Sequence, residues 1–244
     1  MIRIENRYTR QVGCTQGFDQ QKIQGATALI VGVGGLGCSA SILLAAAGIG
    51  TLILCDHDTV SISNLNRQLL YTEQDLGASK AVTAALKLRE FNPDSVYLPV
   101  KHPFSEEALT PLPRPDVILD CLDNIESRVD LIRYAARNDI PLVHAAVQEF
   151  SGQISSFIPP FSGCPVCALS GEESEESETV LSLGACVTTI AGHQATEAIK
   201  LICKIGEPNV GRMTFYDLLS NKVETLHVVK DPTCVACGTH QEIT

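Results

Sequence analysis

Apolar residues in this chain fall into short blocks separated by stretches whose apolar positions recur at helical spacing. The block at residues 28–31 is β-prone and breaks at Gly32, after which small and apolar residues continue at helical spacing to Ala47. Thr51–Cys55 is a second block. Residues 78–91, rich in Ala, Leu, Lys and Glu, read as a helix that Asn92-Pro93 ends, with the next strand at Val96–Val100. A proline-punctuated loop at 111–115 leads into a buried strand at 116–120 and a helix that runs to Arg137. Residues 142–147 form a further strand, and 152–158 alternate, which marks the start of an antiparallel part. An apolar helix-like run covers 186–203, and 213–217 with 223–229 predict a hairpin around 218–222. Strands alternating with helices predict the α/β class: a Rossmann-like, mostly parallel sheet with helices on both faces, extended by antiparallel C-terminal strands.

Composition narrows the function. With 244 residues and 45% apolar content the chain can bury a large core, and one domain is expected. A formal charge of −10 disfavours an extended nucleic-acid surface, which needs a basic stripe. No apolar run is long enough to span a membrane, and Met-Ile-Arg-Ile-Glu-Asn does not read as a signal peptide, so a cytoplasmic location is expected. Ten cysteines without an export signal argue against a disulfide framework. Six of them (Cys14, Cys38, Cys55, Cys121, Cys186, Cys203) lie singly and read mostly as small buried hydrophobes.

The chemistry concentrates where the first strand turns into the first long helix. Gly32-x-Gly34-Gly35-x-Gly37 follows the strand directly, so backbone N–H groups at a helix N-terminus can approach a phosphate or ribose. Asp56 ends the second strand nineteen residues past Gly37, where such units hydrogen-bond a ribose. Then come Asp58 and Ser63-Asn64-Leu65-Asn66-Arg67-Gln68. A nicotinamide site needs an apolar floor, whereas an arginine and amides suit a triphosphate. Lys80 in a first helical turn opposes the helix dipole, a penalty that a bound phosphate would remove, although an exposed helical lysine is the plainer alternative. Asp123-Asn124 follows a strand end, the edge of a parallel sheet where ligands collect; Asp123 also suits a helix N-cap. Arg7 and Arg10 alone read as a solvated N-terminal arm. Cys164-x₂-Cys167 and Cys234-x₂-Cys237 have the knuckle spacing of a structural Zn²⁺ site, with redox pairs as the competing use. Residues 170–180 carry five glutamates and read as a mobile crossing loop.

Together the GxGGLG turn, the following DxDxVxxSNLxRQ, Asp123-Asn124 and the two Cys pairs resemble the MoeB/ThiF/HesA family, bacterial relatives of ubiquitin-activating enzymes, over residues 7–237. The resemblance implies an adenylyltransferase that uses ATP and Mg²⁺ to activate the C-terminal glycine of a ubiquitin-like sulfur-carrier protein. One adenylation domain over 1–244 is implied, with an arm at 1–26, a nucleotide-binding part at 27–147 and a carrier-binding and zinc part at 148–244. It implies a homodimer in which Arg10 enters the neighbouring site, catalysis by Arg10, Arg67, Lys80 and Asp123, and Mg²⁺ on Asp123. Nucleotide contacts are implied for Gly34, Gly35, Asp56, Asp58, Ser63, Asn64, Leu65, Asn66, Arg67, Lys80, Asp123 and Asn124, and Zn²⁺ for Cys164, Cys167, Cys234 and Cys237. The chain departs from the family in one place: the crossover, where relatives often hold a cysteine, has Ser174 and Ser177, and the nearest thiol is Cys186. Sulfur would come from a separate protein. The alternatives are a NAD-dependent oxidoreductase, a noncatalytic zinc-stabilised adaptor for a ubiquitin-like partner, and adenylation of a modified tRNA base, against which the acidic charge weighs.

Overall fold

A computed structural model describes residues 7–169 and 181–238; Ser174 and Ser177 lie outside the described residues. The sheet has eight strands: β1 (Thr27–Val31), β2 (Thr51–Cys55), β3 (Val96–Val100), β4 (Val117–Asp120), β5 (Leu142–Gln148), β6 (Ser151–Phe157), β7 (Arg212–Asp217) and β8 (Lys222–His227). Their order is β3-β2-β1-β4-β5-β6-β7-β8. The first five run parallel and the last three pair antiparallel, as the change from continuous to alternating apolar pattern near residue 150 predicts. Val31 pairs with Cys55 on one side and Asp120 on the other, so three strands end together. The order reverses between β1 and β4, which opens a crevice beyond those ends.

Helices cover both faces. On one side α2 (Gly35–Ala47), α3 (Lys80–Phe91) and α7 (Gly184–Cys203) bury Leu44, Leu88 and Ile190 against Ile30, Leu54 and Val143. On the other, α4 (Glu106–Leu109) and α5 (Ile125–Arg137) bury Leu109, Leu131 and Ile132 against Leu29, Ile53 and Ile118. The short α6 (Pro165–Leu169) carries Cys167, and the paired cysteines join this second core. No helix among the described residues is long and apolar enough to cross a membrane.

Three short helices were not legible in the sequence, α6 among them. Within the expected N-terminal arm, α1 (Gln20–Gly25) forms because the Asp19 carboxylate accepts from Gln21 and Lys22 N–H, and it buries Ile23 completely. Another is α4, capped by Ser105. Of the six single cysteines, Cys14 is exposed, Cys121 is half-buried and the rest are buried.

Candidate active site

The glycine turn is built by close backbone approach. Gly32 has φ +89°, and a Cβ there would lie 2.6 Å from the Cys121 carbonyl; at Gly37 it would lie 2.0 Å from the Gly32 carbonyl. Gly34 is different, because its Cβ would meet nothing nearer than Gln68 Nε2 at 3.6 Å. It caps α2 with no side chain, so the first N–H groups of a 13-residue helix face open space.

That space is a cleft of about 1240 Å³ running from the glycine turn to the antiparallel strands. Gly34, Gly35, Asp56, Asp58, Asn64, Arg67, Lys80, Asp123 and Asn124 all line it. Asp56, 9% exposed, accepts from Val33 N–H at 2.7 Å and Asp58 N–H at 2.8 Å, so it braces the turn while facing the cleft. Lys80 is the first residue of α3 and only 6% exposed; its Nζ donates to Asp58 Oδ2 at 2.8 Å. The lysine hydrogen bond holds the Asp58 carboxyl below the usual carboxylate range. Lys80 is therefore a buried, charge-paired group and not an exposed helical lysine. Arg67 Nη1 donates to the Ser63 carbonyl and Asn66 Oδ1, which sets the guanidinium against the cleft wall.

Three expected nucleotide contacts do not line the cleft: Ser63, Leu65 and Asn66. The 3₁₀ turn Ile62–Asn64 directs them elsewhere: Leu65 packs on the core, Asn66 Nδ2 donates to the Ser182 carbonyl, and the Ser63 hydroxyl meets that of Ser61. Nor is Asp123 an N-cap, since Asn124 takes that role and accepts from Ser127 N–H at 2.9 Å. This leaves the exposed Asp123 carboxylate with one long contact among the described residues, to Asn124 Nδ2 at 3.5 Å, and available for a hard cation. Arg10 is exposed and does not line its own chain's cleft. Its segment is anchored at home: Tyr8 is buried and accepts from Asn92 Nδ2, and Gln11 Nε2 donates to the Ala47 carbonyl.

Several residues at the site carry no sequence signal. The buried Tyr71 hydroxyl reaches the Val33 and Lys80 carbonyls at 2.9 and 3.1 Å and ties the glycine turn to α3. Below the cleft floor, the fully buried Asp120 accepts from Arg128 Nε at 2.9 Å and His144 Nδ1 at 2.7 Å. Burial works to raise the Asp120 pKa, but Arg128 and His144 outweigh it and hold the carboxyl below its ordinary range. Burial, joined by the Arg128 charge, pushes the His144 pKa down against the upward pull of Asp120. Gln153 bonds the other ring nitrogen at 3.0 Å.

The two Cys pairs meet. Sγ separations are 3.7 Å for Cys164–Cys167, 3.7 Å for Cys164–Cys234 and 3.5 Å for Cys167–Cys237. A tetrahedral ion about 2.3 Å from each sulfur would set edges of about 3.8 Å, so the set fits Zn²⁺. It sits with the core packed under α5, where Arg133 Nε also holds the Val235 carbonyl.

Known proteins resemble this chain in sequence and in fold. Molybdopterin-synthase adenylyltransferase of Salmonella typhimurium is 34% identical over 240 residues, covering 95% of this chain and 96% of the relative. The sulfur carrier protein ThiS adenylyltransferase of Escherichia coli is 35% identical over 238 residues, covering 95% and 94%. The SAMP-activating enzyme E1 of Haloferax volcanii is 35% identical over 226 residues, covering 90% and 83%. The crystal structure of E. coli MccB with ATP shares the fold, with a TM-score of 0.83 at 23% identity over 96% of this chain and 74% of that one. The ThiF family profile matches residues 8–236, nearly the whole chain, and the chain belongs to the ThiF family.

Proposed function

We infer that this chain transfers AMP from ATP to the C-terminal carboxylate of a ubiquitin-like sulfur-carrier protein and releases pyrophosphate. One observation carries the reading: Gly34, Asp56, Arg67, Lys80 and Asp123, far apart in sequence, line a single cleft in a chain that matches adenylyltransferases of sulfur carriers over most of its length. A carboxylate oxygen attacks the α-phosphorus, the bond to the β-phosphate oxygen breaks, and pyrophosphate leaves with that electron pair. The attacking acid is already ionised at neutral pH, so no general base is needed. The difficulty is bringing anions together, which positioned cations and N–H donors relieve.

In this reading the first N–H groups of α2 and the Asp56 carboxylate hold the nucleotide. Arg67, Lys80 and, from a partner subunit of a homodimer, Arg10 neutralise the phosphates. Lys80 exchanges Asp58 for a phosphate oxygen. Asp123 would hold Mg²⁺, which supplies charge neutralisation at the departing pyrophosphate. The four cysteines hold Zn²⁺ as a structural staple. Cys186 is 4% exposed in the first turn of α7 and has no part in the proposed step. A nicotinamide site would need an apolar wall where Arg67, Lys80 and Asp123 stand.

The test is to incubate the protein with ATP, Mg²⁺ and sulfur carriers of the molybdopterin and thiamine pathways and weigh the carrier. A mass increase of one AMP on at least one carrier is expected. NADH binding without any carrier adduct would overturn the reading in favour of a dehydrogenase.

A further inference from the structure

Arg128 has one job that the structure explains and one donor that it leaves over. It lies in the first turn of α5 with its side chain 8% exposed, and it lines the cleft between the nucleotide end at Asp123 and the strand end at Gln153. Nε donates to Asp120 Oδ2 at 2.9 Å and Nη2 to the Leu122 carbonyl at 2.6 Å. Asp120 is itself fixed by His144 Nδ1 and by Leu122 N–H, and His144 by Gln153. The guanidinium is thus clamped along one edge. Nη1 has no bond to any described residue. Nη1 is not sealed in the interior: it opens to the cleft, where an incoming anion can reach it in place of water.

Position says what the spare edge meets. Arg67 and Lys80 are on the nucleotide side, and Lys80 is partnered by Asp58. The strand side of the cleft presents Gln148, Ser151, Gly152 and Gln153, small or polar groups of the kind that can bond a peptide backbone. A group at the junction of the two halves sees the peptide's end as it approaches the α-phosphorus. A planar guanidinium with a fixed back edge offers a directed, permanently charged donor to a carboxylate oxygen.

We propose that Arg128 binds the C-terminal carboxylate of the incoming carrier through Nη1 and keeps hold of the acyl oxygen once the mixed anhydride has formed. This rests on the adenylation reading and adds to it the residue that receives the acyl partner. Asp120, His144 and Gln153 are positioning residues behind it.

The test uses the full-length protein and two probes in titration calorimetry: AMP, and glycylglycyl-sulfamoyladenosine, a stable mimic of the acyl adenylate. Wild type is expected to bind the acyl probe more tightly than AMP. Arg128→Lys keeps a cation beside Asp120 but withdraws the fork, and Arg128→Gln removes the charge. Both are expected to bind AMP within about twofold of wild type and the acyl probe roughly tenfold or more weakly. Equal weakening of both probes, or of neither, overturns the proposal. Wild type that binds AMP but gains nothing from the acyl part overturns it too, while leaving the nucleotide site intact. Wild type that binds neither probe overturns the adenylation reading and this inference with it. A crystal structure of wild type with the acyl probe is independent of how the variants fold: an acyl oxygen within about 3.2 Å of Nη1 supports the proposal, and one placed elsewhere refutes it.

Discussion

Tyr71→Phe removes one oxygen atom and tests whether the glycine turn and the lysine that faces it are mechanically joined. Tyr71 is buried, 5% exposed, and its hydroxyl contacts two backbone carbonyls: Val33, inside the glycine turn, and Lys80, at the start of α3. Among the described residues Val33 would retain only the weak Cys38 thiol donor at 3.4 Å. Leaving buried acceptors short of a donor costs about 1–3 kcal/mol. In a chain of this size each kcal/mol lowers Tm by about 2–4 °C, so a fall of about 2–12 °C is expected. The ring stays in place, and the loss is confined to the strut. Thermal melting measures the stability term. Initial rates at varied ATP measure the other: KM for ATP is expected to rise several-fold while KM for the carrier stays put, because the strand half of the cleft is untouched. A Tm within about a degree of wild type, together with an unchanged KM for ATP, would refute the reasoning.

Three further outcomes follow from the same geometry. Gly37→Ala forces a Cβ onto the Gly32 carbonyl and is expected to destabilise the fold, whereas Gly34→Ala opens onto the cleft and should leave Tm near wild type while weakening ATP binding; melting and nucleotide titration of the two variants separate the cases. Because burial holds the native His144 pKa below its ordinary value of about 6.5, the unfolded chain takes up a proton that the native ring refuses, and stability falls as pH drops below about 6.5, by up to about 1.4 kcal/mol per pH unit. Asp120, held low, contributes stability that is present above about pH 4 and lost on further acidification; urea midpoints across pH should show both limbs, with His144→Gln flattening the upper one. If the four cysteines hold zinc as proposed, a thiol-reactive agent should release about one zinc per chain and expose the segment after β8 to proteolysis, with ATP binding retained since none of the four lines the cleft.

Much of this was legible because it is local. Thr51–Cys55 and Val96–Val100 are strands over the residues that their apolar pattern predicts, and the chain placed Asp56 at the end of the first of them. Each Cys-x₂-Cys pair has knuckle spacing that is read locally, whereas the joining of two pairs 66 residues apart came from the family resemblance; their sulfurs meet at tetrahedral distances. What was not legible depends on folding distant segments together. Tyr71, Arg128, His144 and Gln153 sit in segments whose residue types say nothing unusual; their roles arise from bonds across 8 to 38 positions. Inside the SNLNR run the pattern could not say which residues face the ligand: a single 3₁₀ turn sends Asn64 and Arg67 to the cleft and Ser63, Leu65 and Asn66 away from it. Cap choice went the same way, since Asp123 and Asn124 both suit an N-cap and only the strand end decides that Asn124 takes it.

Carrier-dependent exchange of labelled pyrophosphate into ATP reads the reversible adenylation step itself, and comparing wild type with Lys80→Ala asks whether the paired cation in the cleft serves it. Exchange should require both the carrier and Mg²⁺, and should fall by roughly a hundredfold or more in the variant, the scale of losing one preorganised transition-state donor. Exchange at near-normal rate in Lys80→Ala, with the variant folded, would contradict the assignment of the cleft as the place where the AMP is transferred.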